Sequence, residues 1–223
     1  MLGTILFDLD GTLADTAPDL GTALNAILRL EGREPISQEK IRASVSQGSR
    51  GLLQLGLGKK TSKEKLEHLN SVFIENYAEV CTQQTKPFSQ IKPLIKQLVA
   101  KGLRWGIVTN KVQRFTGPLV AHLNFEPPPE IVVSGDTLIE CKPSPKPLLF
   151  ACEQLKIAPQ TCLYVGDARR DIEAGRTASM LTAVAAWGYL TTEDKPLEWG
   201  ANFILESPLD LLELITSTLA EAK

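Results

Sequence analysis

Long apolar runs are missing from this sequence. No stretch approaches the roughly 18 residues that a membrane-spanning helix needs, although the hydrophobic share is 43%. The start carries no charged segment followed by a long apolar one, and Asp8 and Asp10 come too early for a signal peptide. An excess of one charge is missing too: the formal net charge is -2, with acids and bases mixed along the 223 residues. That argues against a nucleic-acid footprint and against a polybasic membrane anchor. Cysteine and histidine are sparse. Cys81, Cys141, Cys152 and Cys162 show no CxxC spacing, and His68 and His122 fall in helix-like segments away from them. Free buried thiols are therefore expected rather than a zinc site. With these absences, a cytoplasmic protein with a small-molecule partner is the expectation.

What is present is an alternation. The apolar run 4–7 ends abruptly in Asp8-Leu9-Asp10-Gly11, and similar short runs recur at 106–108, 131–133, 162–165, 181–184 and 203–205. Continuous runs of this length suit parallel strands covered on both faces. Helical patterns lie between or after them, at 91–101, 112–123, 145–155, 171–178 and 208–220. The fold class expected is α/β, a doubly wound, Rossmann-like parallel sheet.

Residues 15–86 break the alternation with helix patterns alone. Leu20, Leu24, Ile27, Leu28 and Leu30 recur at helical spacing, as do Leu66, Leu69, Phe73, Ile74 and Tyr77. The expected division is a catalytic core of 1–14 and 87–223 with an all-helical cap of 15–86. An insert placed directly after the first strand would stand over the carboxyl edge of the sheet, where open α/β sheets bind ligands. It suits a lid that excludes water, with a helical embellishment as the alternative.

Four motifs fall where strands end. Asp8 and Asp10 in DLDGT are two acids beside a buried run, a costly placement unless a cation such as magnesium neutralises them. Thr109 and Asn110 follow the second strand, where a hydroxyl and backbone amides suit phosphoryl oxygens or a helix N-cap. Lys142, in KPSPKP, sits beside a proline that stiffens its backbone, and it could neutralise a carboxylate and a phosphate. Lys146 better suits a solvated loop. Asp167, in GDARRD, could complete a metal site with Asp171 supporting it one turn on, or it could cap a helix. Two arginines in that first turn oppose the helix dipole and suit a nearby anion.

Taken together, DLDGT, VTN, KPSP and GDARRD resemble the haloacid dehalogenase superfamily along the whole chain, and the insert resembles its phosphoglycolate phosphatase-type cap. The resemblance implies that Asp8 is the nucleophile and Asp10 the general acid/base, with Thr109 and the backbone around Asn110 holding the phosphoryl group and Lys142 stabilising charge. It implies Mg2+ held by Asp8, the main-chain carbonyl of Asp10 and Asp167. True dehalogenases of that superfamily lack the second acid. A sugar phosphomutase of the β-phosphoglucomutase kind shares these acids, and a non-catalytic binding protein would be expected to have lost some of the motifs. Further stretches, Val45 to Arg50, Leu103 to Gly106, Trp187-Gly188-Tyr189 and Trp199-Gly200-Ala201, are similar to bacterial N-acetylmuramic acid 6-phosphate phosphatases, which motifs hardly separate from phosphoglycolate phosphatases. Both substrates carry a carboxylate besides the phosphate. Arg50, on a Gly-flanked loop with Gly48, is a candidate partner for that carboxylate, or an exposed helix arginine.

Overall fold

In the computed structural model, which describes residues 2–221, the first apolar run forms β1 (Thr4–Phe7). The short β2 (Ala14–Asp15) leads into α1 (Ala17–Leu30), α2 (Gln38–Arg42), α3 (Gly48–Leu57) and α4 (Lys63–Val80). After β3 (Lys86–Pro87) come α5 (Ile91–Ala100), β4 (Arg104–Val108), α6 (Gln113–Leu123) and β5 (Val132–Val133). Then follow α7 (Lys146–Leu155), β6 (Cys162–Gly166), α8 (Arg169–Thr177) and β7 (Leu181–Ala185). β8 (Phe203–Leu205) and α9 (Pro208–Glu221) finish the chain. It divides into one unit of Met1–Ala14 with Pro87–Lys223 and a second of Asp15–Lys86.

The first unit is a doubly wound α/β sheet in the order β5-β4-β1-β6-β7-β8, with every pairing parallel. Successive residues of a strand point to opposite faces. Ile5, Phe7, Trp105 and Ile107 join Leu94 and Leu98 of α5 and Leu211 and Ile215 of α9. Leu6, Val108 and Tyr164 join Leu148 of α7 and Ala174 of α8. Helices on both faces leave no polar side for the strands, hence the unbroken apolar runs.

Strand addition reverses direction beside β1, which lies between β4 and β6. The register pairs Phe7 with Ile107 and with Val165, so these three strands reach their carboxyl ends in step. That edge, at a switch in strand order, is where α/β sheets bind ligands.

Within the helical unit, the stripe Leu20, Leu24, Ile27 and Leu28 is buried, as are Leu69, Phe73 and Tyr77. Leu30, in the last turn of α1, falls outside that stripe and is exposed. Asp19 is buried and accepts the N–H groups of Gln84 and Thr85 and the Thr85 hydroxyl, at 2.7 to 3.1 Å. This carboxylate ties the start of α1 to the end of the unit. Three cysteines are buried as expected, but Cys141 is exposed, because it lies in the loop before Lys142. Among the described residues no helix is long and apolar enough to cross a membrane.

Candidate active site

The turn after β1 is tight. Gly11 adopts φ 82°, a left-handed conformation that favours glycine. A Cβ on it would lie 2.0 Å from Asp167 Oδ2, so the turn closes directly against the loop after β6. Gly188 serves the same closure from the β7 side: its Cβ would come within 2.4 Å of both Asp167 Cβ and the Gly11 carbonyl oxygen.

Asp8 leaves β1 fully within the protein, 3% exposed. Its Oδ1 lies 2.9 Å from Lys142 Nζ, and Asp171 Oδ1 lies 2.8 Å from the same ammonium. Lys142 also donates to the Val108 carbonyl at 3.0 Å and to the Tyr164 hydroxyl at 2.6 Å, while Tyr164 donates to Val108 O at 2.7 Å. Burial alone would raise the Asp8 pKa, but the charges of Lys142 and Arg170 outweigh it and hold the carboxyl below its ordinary value. Burial likewise opposes the Lys142 charge, yet Asp171 and Asp8 prevail and raise its pKa. Asp8 is thus an ionised carboxylate, dry and fixed.

Asn110 holds the lysine from behind. Its side-chain amide donates to the Lys142 carbonyl at 2.9 Å and its Oδ1 accepts from the Lys142 N–H at 3.0 Å. Thr109 is buried, with its hydroxyl accepting the Lys111 N–H at 3.2 Å. Lys146, by contrast, is exposed and paired with Glu140.

Asp167 accepts the Tyr189 N–H at 2.9 Å and the Thr12 hydroxyl at 3.4 Å. Burial first, then the charges of Asp171 and Asp8, push its pKa up to about 8. Carboxylate oxygens of Asp8, Asp167 and Asp171 lie within 4.8 Å of one another. An all-oxygen set with one member forced toward its protonated form is the environment a hard divalent cation relieves, so these residues fit magnesium. Asp171 is the least free of the three. Its Oδ1 is taken by Lys142 and its Oδ2 accepts the Ala168 N–H at 3.0 Å, closing the first turn of α8. Both of its oxygens are thus already engaged within the site.

Asp10 is paired with Lys111, whose Nζ is 3.0 Å and 3.2 Å from its two oxygens. The first unit therefore brings together Asp8, Lys142, Asp167 and Asp171, with Asn110 behind the lysine. Gly48 and Arg50 belong to the helical unit. Arg50 is exposed and lies inside α3, not on a loop. Sequence reasoning missed Tyr164, Lys111 and the side-chain role of Asn110. Tyr164 could have been flagged as the one hydroxyl in the run Cys162 to Val165; for Lys111 nothing beyond its place two residues after Thr109 marked it.

A profile for haloacid dehalogenase-like hydrolases matches residues 5–185. The chain is 37% identical over 220 residues to an N-acetylmuramic acid 6-phosphate phosphatase of Pseudomonas aeruginosa, spanning 99% of this chain and 97% of that one. A phosphoglycolate phosphatase of Xylella fastidiosa is 38% identical over 205 residues, 92% of this chain and 89% of the relative. Among solved structures, a haloacid dehalogenase-like hydrolase of Streptococcus pneumoniae shares the fold with a TM-score of 0.83 at 19% identity, covering 96% of this chain and 98% of its own.

Proposed function

Because the chain belongs to the haloacid dehalogenase-like hydrolase family, we propose that it is a magnesium-dependent phosphomonoesterase working through an aspartyl-phosphate. Its proposed substrate is a small acidic phosphorylated metabolite, N-acetylmuramic acid 6-phosphate or 2-phosphoglycolate, the substrates named for its relatives. The observation that carries this reading is Asp8, a buried and ionised carboxylate held against Lys142 at the carboxyl edge of the sheet.

In the first step an Asp8 oxygen bonds to phosphorus while the ester P–O bond breaks, and Asp10 gives its proton to the leaving oxygen. In the second, Asp10 takes a proton from water as the water oxygen bonds to phosphorus and the bond to Asp8 breaks. Splitting one displacement in two makes each half easier, and a positioned acid/base adds about 10²–10⁴-fold. Lys142 faces the Asp8 carboxylate and supplies fixed positive charge that costs no reorganisation during reaction. Thr109 and the amides of the turn after β4 are proposed to hold the phosphoryl oxygens. Asp8, Asp167 and the main-chain carbonyl of Asp10 would hold magnesium, with Asp171 behind them. When bound, the cation neutralises phosphoryl oxygens so that one anion can approach another. The helical unit is proposed to act as a cap, with Gly48 and Arg50 contributing to specificity.

Phosphate release by the purified protein with magnesium tests the reading. The panel is N-acetylmuramic acid 6-phosphate, 2-phosphoglycolate and β-glucose 1-phosphate, with Asp8→Asn as control. The expected result is release from an acidic ester by the wild type, and none by the variant, which also fails to trap fluoroberyllate. Turnover retained by Asp8→Asn, or no ester hydrolysed, overturns it; isomerisation of the glucose ester instead would favour a mutase.

A further inference from the structure

Each of the two acids after β1 has a lysine of its own. Asp8 is paired with Lys142, and Asp10 with Lys111. The Lys111 side chain is 8% exposed and that of Asp10 20%, so this pair is far drier than a surface ion pair and correspondingly less screened. The backbone of Lys111 is fixed on two sides. Its N–H donates to Thr109 Oγ1 at 3.2 Å, and its carbonyl accepts the Gly135 N–H at 2.8 Å and the Thr116 hydroxyl at 2.9 Å. The neighbouring residue is pressed close: a Cβ on Gly135 would meet the Asn110 carbonyl oxygen at 2.1 Å. The lysine stem thus rises from a rigid turn. The Asp10 carboxylate has two side-chain torsions, and the contact with Lys111 at both oxygens restricts them.

We propose that Lys111 is the positioning residue for the acid/base carboxylate of Asp10. This rests on the phosphatase reading above. A general acid/base must stay within hydrogen-bond reach of the leaving oxygen in the first step and of water in the second. The Lys111 ammonium reaches both carboxylate oxygens, which limits rotation of the group. It is a compact charge with three rotatable donors, so it can hold the carboxylate without a fixed fork and leave an oxygen able to give and take a proton. The proton passes from Asp10 to the ester oxygen as that P–O bond breaks. It is replaced from water as the Asp8–phosphorus bond breaks. Lys111 keeps its own protons throughout. The two lysines divide the work, Lys142 serving the nucleophile and Lys111 its partner acid.

A double-mutant cycle on the full chain with magnesium and an alkyl phosphate ester tests this, using Lys111→Met, Asp10→Asn and both together. The expected result is a fall in kcat of about 10- to 100-fold for Lys111→Met with KM within about twofold, since a small misplacement of a reacting group can cost about 10²-fold. In the Asp10→Asn background the same substitution is expected to cost less than about twofold, because the group it positions is gone. Equal losses in both backgrounds, or a raised KM with kcat intact, would mean that Lys111 acts on substrate by itself, and the proposal falls. Thermal melting accompanies each variant. Should Lys111→Met not fold, Lys111→Gln carries the same cycle, with the same two outcomes deciding. An inactive wild type would defeat the phosphatase reading, whereas an active wild type with undiminished Lys111 variants defeats only the positioning role.

Discussion

Raising the pH of the metal-free protein from about 6 to about 8 is expected to weaken its fold, through Asp167. Burial and the charges of Asp171 and Asp8 push its pKa from 3.8 to about 8. An acid whose folded-state pKa is raised binds its proton more tightly in the native state. Its contribution is complete below the unfolded value and is lost as pH rises through the folded one. Between those values the slope approaches about 1.4 kcal/mol per pH unit, and integration from pH 6 to pH 8 gives about 2 kcal/mol lost. Asp171 is shifted in the same direction, while Asp8 is depressed and acts only below the carboxylate range, outside this window. Urea unfolding in the presence of a chelator reads the change directly. Magnesium is expected to restore stability increasingly toward pH 8, because the cation replaces the departing proton and binds the native state alone. Asp167→Asn should flatten the chelated pH profile and blunt the magnesium effect. A flat wild-type profile, or an unchanged slope in Asp167→Asn, would refute the reasoning.

Lys142→Met leaves the carboxylates of Asp8 and Asp171 buried without the ammonium 2.9 Å and 2.8 Å away. A loss of about 3–5 kcal/mol in urea unfolding is expected, partly recovered by adding Asp171→Asn; a loss below about 1 kcal/mol would show that the charges are solvated. Arg50→Ala is expected to raise KM for an acidic ester roughly tenfold, the worth of one charged hydrogen bond, while sparing a generic aryl phosphate. Steady-state kinetics on both substrates decides, and equal losses would reject a role in specificity.

The strands were legible because parallel strands covered on both faces need consecutive apolar residues, and runs such as 162–165 and 181–184 have no polar alternation to mislead. Val132–Val133 is a shorter strand than its run suggested, as expected at a sheet edge where one neighbour is missing. The acids were legible as residue types out of place, since charge at the end of a buried run asks for a partner, whereas Lys142 was marked by the proline that stiffens its backbone. The glycines around Arg50 suggest a loop, yet Gly48, at φ 71°, begins α3 and Gly51 and Gly56 continue it, so Arg50 is the exposed helix arginine of the alternative reading.

Partners were another matter. Lys111 reaches Asp10 across 101 positions, Asn110 clamps Lys142 across 32, and Tyr164 joins Val108 across 56. Local sequence determines which segments become strands and helices, since periodicity and backbone preference act over a few residues. It also determines which side chains are too polar to lie idle where those segments end. The strand order that sets β1 between β4 and β6 was decided only when the sheet assembled. With it came the choice of which lysine faces which acid, because such contacts depend on through-space distances that no local pattern encodes.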